Sequence, residues 1–251
     1  MTKTFGKVRH KRPSHTIGGE AIYNEILLGL PARERAVVLS ELELVETRNR
    51  DVLNDAGVPI EYCYFLNNGV ASILNVLGGG KSVEVGLTGK EGFVGLPLVV
   101  GLSTSSTRIL IQIPGSAFRM GAAPLRRVLC GCPQLTIRLN RYAQELGLQA
   151  TQVAACNRLH EVSQRMARWL LMTQDRIQRD VVPLTQEFLA HVLGTRRASV
   201  TVAAGILQKT GSIRYSRGSV AVLSRGKLAA AACECYAAMT RQSQNWRQEQ
   251  A

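Results

Sequence analysis

Residues 184–211 read LTQEFLAHVLGTRRASVTVAAGILQKTG, two short helical patterns divided by a glycine. Thr185 stands where its hydroxyl can cap QEFLAHVL, and Gly194 is placed to end that helix. Thr195 is positioned to cap a second helix that begins at Arg196 and runs to about Lys209. A turn this tight makes the helices cross and share a small core, for which Leu189, Leu193, Val200, Ala203, Ala204 and Leu207 have the spacing. The other face of the second helix carries Arg196, Arg197, Ala198, Thr201, Val202, Gly205 and Gln208, with two cations at its start and no acid. A helix roughly 10–12 Å across fits the major groove of B-DNA. An arginine can pair with both acceptors of a guanine edge, and Ala198, Thr201 or Val202 can touch a thymine methyl. Arg196, Arg197, Ala198, Thr201 and Val202 are therefore the candidate base-reading residues.

The following segment, SIRYSRGSVAVLS, suggests two strands, Ile213 to Ser216 and Ser219 to Leu223, around Arg217-Gly218. A helix-turn-helix followed by a hairpin with a basic tip is a winged helix. Arg214 and Arg217 are its candidate phosphate contacts.

Composition points the same way. The 251 residues carry 31 Lys and Arg against 18 Asp and Glu, a formal charge of +13, and a surplus of that size suits a polyanionic partner. No apolar run approaches the roughly 20 residues of a membrane span, and the basic start lacks the apolar stretch of a signal peptide, so a cytoplasmic protein without a membrane partner is expected. Residues 1–19 hold five Lys and Arg and no acid, which reads as a flexible basic tail. Six cysteines are too few for a disulfide scaffold. The pairs Cys130/Cys132 and Cys233/Cys235 have one intervening residue rather than the usual two to four of metal ligands, so inert thiols are expected; a thiol- or metal-gated redox sensor is the alternative.

Residues 20–30 have helical spacing, and Pro31 opens a second short helix. From Leu42 to about Phe118 the period falls to two, in LELVET, YCYFLN, VASILNVL, KSVEVGLT and RILIQIPG, which predicts an antiparallel sandwich or roll. The GGGKS at residues 78–82 is not a phosphate loop: Asn75 stands where the earlier glycine is required, and both flanks read as strands. Past Pro133, Leu135, Leu139, Tyr142, Leu146, Gln149, Val153 and Cys156 follow a four-three seam, read as a helix pairing with a second copy of itself. A further helix from Cys156 is expected to turn Arg158, Arg165, Arg168 and Arg176 mostly toward solvent.

With roll, seam helix, LTQEFLAHVLGTRRASVTVAAGILQ and GSIRYSRGSVAVL in this order, the chain resembles bacterial transcription regulators of the Crp/Fnr family. The resemblance implies an α+β protein with an N-terminal antiparallel β-roll of the cyclic-nucleotide-binding type (20–133), a dimerisation helix (134–158) and a C-terminal winged helix-turn-helix (159–251). It implies a homodimer joined through Leu135, Leu139, Tyr142, Leu146, Gln149 and Val153, not an enzyme, binding a palindrome in double-stranded DNA. Thr185, Gln186 and Ser199 would contact phosphate and Arg197 would read a base; Ala198 and Val202 depart from the glutamate and arginine of the cyclic-AMP receptor. RNA polymerase and a small-molecule effector are the further partners implied. Effector candidates are Gly92, Phe93, Gly95, Ser103, Thr104 and Arg108. Phe93 and Ser103 replace the ribose-binding glutamate and the phosphate-binding arginine, so the ordinary cyclic-AMP mode is not expected, nor any other cofactor. The N-terminal cysteine cluster of the iron-sulfur members is lacking.

Overall fold

A computed structural model describes residues 15–78, 82–216 and 218–248. It opens with a small antiparallel hairpin, β1 (Thr16–Ile17) and β2 (Glu20–Ala21). The tail expected over residues 1–19 thus gives way to structure by Thr16, and residues 1–14 lie outside those described. The helix expected from Glu20 is confined to α1 (Glu25–Leu28), because the buried Asn24 caps it by accepting from the Leu27 amide at 3.1 Å. Helix α2 (Ala32–Leu39) follows Pro31.

The roll comprises β3 (Glu43–Thr47), β4 (Val52–Asn54), β5 (Tyr62–Leu66), β6 (Val70–Val76), β7 (Ser82–Thr88), β8 (Phe93–Val94), the short helix α3 (Leu96–Val99), β9 (Thr107–Ile113) and β10 (Gly115–Gly121). Two four-stranded antiparallel sheets result, ordered β3-β10-β5-β8 and β4-β9-β6-β7. Their facing side chains, Leu66, Val94 and Ala117 from the first with Ala71, Ile109 and Ile111 from the second, share one core. Period-two alternation places the intervening residues of β5, Cys63 and Phe65, on the opposite face, where helices cover them. Strands β6 and β7 pair from Ala71↔Thr88 to Val76↔Ser82, so the glycine-rich segment joins two strands of a hairpin; residues 79–81 lie outside those described.

Helix α4 (Ala122–Gly131) leads into α5 (Pro133–Leu159), 27 residues and about 40 Å long. Its seam is buried, but within the chain, and this corrects the expected dimer contacts. Leu135, Leu139 and Tyr142 sit in a core with Phe65, Phe93 and Phe118, and the partly buried Leu146 packs against it. The Gln149 amide clasps the Leu87 peptide, donating to its carbonyl at 3.1 Å and accepting from its N–H at 2.6 Å. Val153 is also buried. The physical reason is the sheet edge: β7 ends its sheet, and α5 covers that edge and supplies hydrogen-bond partners to it. The outward face carries Ile137, Gln144, Gly147, Thr151, Ala154 and Arg158 instead.

The next helix, α6 (Val162–Ile177), begins six residues later than expected, since residues 156–159 finish α5. Every residue from Arg165 to Gln174 is buried. Arg165 and Arg168 therefore do not face solvent, and Arg176 forms a part-buried ion pair with Glu91 at 2.7 Å. Around α6 stand β11 (Val181–Pro183), α7 (Gln186–Val192), α8 (Arg197–Lys209), β12 (Ile213–Ser216), β13 (Ser219–Val222), α9 (Arg225–Ala231) and α10 (Cys235–Gln248). Val70, Leu87 and Ile113 of the roll join the core of this C-terminal unit, so the two parts meet through a continuous apolar contact. Among the described residues, no helix is long and apolar enough to cross a membrane.

Candidate DNA-binding surface

The α7–α8 hairpin is built by its own sequence. The Thr185 hydroxyl caps α7, accepting from the Phe188 amide at 3.1 Å. Since one lone pair takes that N–H, the hydroxyl proton remains available to a phosphate oxygen. Gly194 follows the C-cap Leu193 with φ +58°, and a Cβ there would also come within 3.2 Å of Val83. Both constraints favour glycine. Thr195 does not cap α8; Arg196 takes the cap position in extended conformation without a side-chain bond, while the Thr195 amide donates to Ala190 at 2.9 Å.

Leu189, Leu193, Val200, Ala203, Ala204 and Leu207 are all buried, as their spacing predicts. Their burial fixes the roll of α8 and leaves Arg196, Arg197, Ala198, Thr201 and Val202 exposed together. Ser199 and Gly205 are half-buried at the edge of this face. Ile206, one turn beyond Val202, is 47% exposed and extends the apolar part of the surface; the four-residue step was the signal that could have revealed it. Gln186 links the two helices, accepting from Thr201 at 3.1 Å and from Arg197 Nε at 3.5 Å. The first turn of α8 holds no acid, so its free amides and both guanidinium groups present positive charge to the same side.

The hairpin of β12 and β13 stands beside this surface, and β11 adds a third antiparallel strand that the sequence pattern did not reveal. Gln208 accepts from the Tyr215 amide at 2.9 Å, which ties α8 to the wing. Arg214 is exposed on β12, while Arg217 lies outside the described residues. Beneath the hairpin, Arg165 donates to the Leu193 carbonyl, and Trp169 meets Phe188 edge-on at 6.4 Å. Burial holds Arg165 below the usual guanidinium range.

The effector candidates stand in different surroundings. Phe93 is in the core, edge-on to Phe65 at 4.8 Å. At Gly92 a Cβ would fall 2.3 Å from the Tyr142 hydroxyl, and at Gly95 2.8 Å from Cys63, so both are glycines of close packing. Arg108 is paired with Asp55 through two bonds of 2.8 and 3.0 Å, which hold the Asp55 carboxyl below its usual range, and Ser103 and Thr104 are exposed. A cleft of about 390 Å³ lies instead between α5, α6 and α10, lined by Glu91, Gln149, Asp175, Arg176 and Tyr236 among others.

Residues 164–231 match the family model of the Crp-like helix-turn-helix domain. The fold is shared with the c-di-GMP responsive global regulator CLP of Xanthomonas campestris, at 16% identity and TM-score 0.64 over 77% of this chain and 100% of that one. FixK2 of Bradyrhizobium japonicum aligns at 15% identity and TM-score 0.65, covering 76% and 98% of the two chains. A Crp/Fnr-family transcriptional regulator of Thermus thermophilus aligns at 22% identity and TM-score 0.63, covering 76% and 98%. No curated protein matches the chain.

Proposed function

We propose, from the premise that the chain is a regulator of the Crp/Fnr type by its helix-turn-helix domain and its fold, that it is a homodimeric, sequence-specific DNA-binding protein whose α8 enters the major groove. The observation that carries this reading is the sidedness of α8: one face closed over Val200, Ala203, Ala204 and Leu207, the other open from Arg196 to Ile206. Arg197 is the base-reading cation; Thr185 and Arg214 hold phosphates on either side. Gln186, braced against Arg197 and Thr201, orients the reading residues in addition to any phosphate contact.

The dimer is proposed to form through the outward face of α5. That face runs from Ile137 through Gln144, Gly147, Thr151 and Ala154, and a Cβ at Gly147 would meet nothing within 4 Å. A second helix can approach closely there, and a two-fold axis along α5 would set the two α8 helices for half-sites about 34 Å apart. The engagement of Arg108 by Asp55 and the burial of Phe93 support a regulator without the ordinary cyclic-AMP mode.

The test is a binding titration of the full chain on an operator selected from random DNA. Affinity should fall steeply with salt, because phosphate neutralisation releases counterions. Arg197→Ala should cost about 1–3 kcal/mol on the operator and relax discrimination at one base pair per half-site, whereas Arg214→Ala should weaken all sequences alike. Equal losses on operator and random DNA for Arg197→Ala would remove its base-reading role, and salt-independent binding would overturn the reading as a whole.

A further inference from the structure

The cysteine pairs of the sequence do not meet as pairs. Cys130 is exposed and Cys132 belongs to the core beneath α4, while Cys233 and Cys235 face a different couple, Cys156 and His160. The latter stand four residues apart at the end of α5, on one side of its last turn, and the His160 amide closes that turn on the Cys156 carbonyl at 3.1 Å. Cys233 and Cys235 flank the start of α10. Three sulfurs and an imidazole nitrogen thus come together from segments more than 70 residues apart, all four donor atoms within 4.8 Å of one another.

The distances suit a single tetrahedral ion. Bonds of about 2.3 Å to sulfur and 2.0–2.1 Å to nitrogen place ligand atoms about 3.6–3.8 Å apart. Cys156 Sγ and Cys233 Sγ are 3.4 Å apart, and Cys235 Sγ lies 3.6 Å from His160 Nδ1. A disulfide would need about 2.05 Å between sulfurs. The surroundings are arranged as those of a metal ligand set: Glu234 Oε1 sits 3.1 Å from His160 Nε2, where it accepts that nitrogen's proton and leaves Nδ1 as the electron-pair donor, and the Gln152 amide donates to Cys235 Sγ at 3.1 Å.

Charge gives an independent indication. Arg165 and Arg168 are buried beside the cluster, each with its Nε lacking a hydrogen-bond partner, and neither makes an ion pair among the described residues. Buried cations need nearby negative charge. Three thiolates and a neutral imidazole around a divalent ion carry one net negative charge beside Arg165 and Arg168, the latter of which also lies near the Glu84 carboxyl.

We propose that Cys156, His160, Cys233 and Cys235 bind one zinc ion, and that the ion pins the start of α10 to the joint between α5 and α6. Binding displaces the three thiol protons to solvent and changes no oxidation state. Thiolate and imidazole donors in a closed tetrahedron favour zinc, and four donors this close leave no room between them for a multi-iron cluster.

The experiment is metal analysis of the full-length chain purified under reducing conditions, with no DNA present, so its result is independent of the DNA-binding reading. About one zinc per chain is expected, retained in Cys130→Ser and lost in Cys235→Ser. Exchange of zinc for cobalt(II) in the unmutated protein should give the visible absorption of a tetrahedral thiolate site, a readout that needs no variant to fold. Glu234→Gln leaves all four ligands in place and should weaken zinc 10–100-fold in competition with a chelator. No zinc in the reduced chain, iron with labile sulfide in its place, or zinc affinity unchanged by both Cys235→Ser and Glu234→Gln would each overturn the proposal.

Discussion

Exchanging Glu84 for glutamine should be close to neutral at pH 5 and stabilise the protein by about 2 kcal/mol at pH 8. Glu84 lies on β7, is 5% exposed, and joins the roll to the C-terminal unit, with Trp169 Nε1 donating to one carboxyl oxygen at 2.7 Å and Ser72 Oγ 2.6 Å from the other. Ser72 is also 2.8 Å from Gln112 Oε1, and its single proton cannot serve two acceptors. In its protonated form Glu84 can donate to Ser72, which then donates to Gln112; with Glu84 ionised, the Gln112 amide, whose Nε2 has no partner, must turn to donate to Ser72 instead. Desolvation acts in the same direction and pushes the carboxyl up from 4.5 to about 7, against the lowering effect of the Ser72 and Trp169 bonds and the Arg168 charge.

For an acid whose pKa is raised on folding, the native state holds the proton more tightly than the unfolded chain. The stabilisation is complete below pH 4.5, is lost as pH rises through about 7, and changes no further above that. With about 1.4 kcal/mol for each tenfold change in proton affinity, the wild type forfeits about 1 kcal/mol at pH 5 and about 3 kcal/mol at pH 8. Glutamine reproduces the neutral acid's bonds, accepting from Trp169 and donating to Ser72, and its second amide hydrogen adds a constant cost near 1 kcal/mol. Urea unfolding of wild type and Glu84→Gln at both pH values isolates the titration, since constant costs cancel. The variant's stability relative to wild type should rise by about 2 kcal/mol from pH 5 to pH 8. A difference that stays flat, or falls, would refute the proton count and the desolvation argument together.

Leu207→Ala empties a fully buried site where α8 meets α6, and should cost about 2–5 kcal/mol in denaturant unfolding. A loss under 1 kcal/mol would mean that the α7–α8 hairpin closes differently. Gly147→Leu adds a large side chain to the outward face of α5, where a single chain has room and a helix gains about 1 kcal/mol over glycine. Light scattering should show the variant shifted to monomer with its fold kept; an unchanged dimer would place the interface elsewhere.

The parts of the chain that were legible in advance are those whose determinants are local. The α7–α8 hairpin could be read because the residues that close its core lie within it, and its exposed face follows by subtraction from Leu189, Val200, Ala203 and Leu207. The roll was legible for a related reason, since alternation in YCYFL and TRILIQI reports two covered faces whichever strands happen to pair. The seam of α5 shows the limit. A four-three stripe states that something covers Leu135, Leu139 and Tyr142, yet a roll and a second helix cover an apolar stripe equally well. What decides is the open edge of β7, and the need of the Leu87 peptide for Gln149 is a property of topology that no window of sequence contains.

Buried charge obscured the rest in the same manner. Arg165 and Arg168 look like a solvated face because cations rarely enter a core unpaired. Their surroundings come from elsewhere in the chain: the Leu193 carbonyl at the helix-turn-helix joint and the Cys233 thiol for Arg165, and the Cys156 thiol near both. The cysteines were grouped by nearness in sequence, which joined Cys130 to Cys132 and concealed Cys156 and His160 as the partners of Cys233 and Cys235. Spacing along the chain identifies a ligand set only when one segment supplies all of it; here two helix ends each supply half, and only folding brings the halves together.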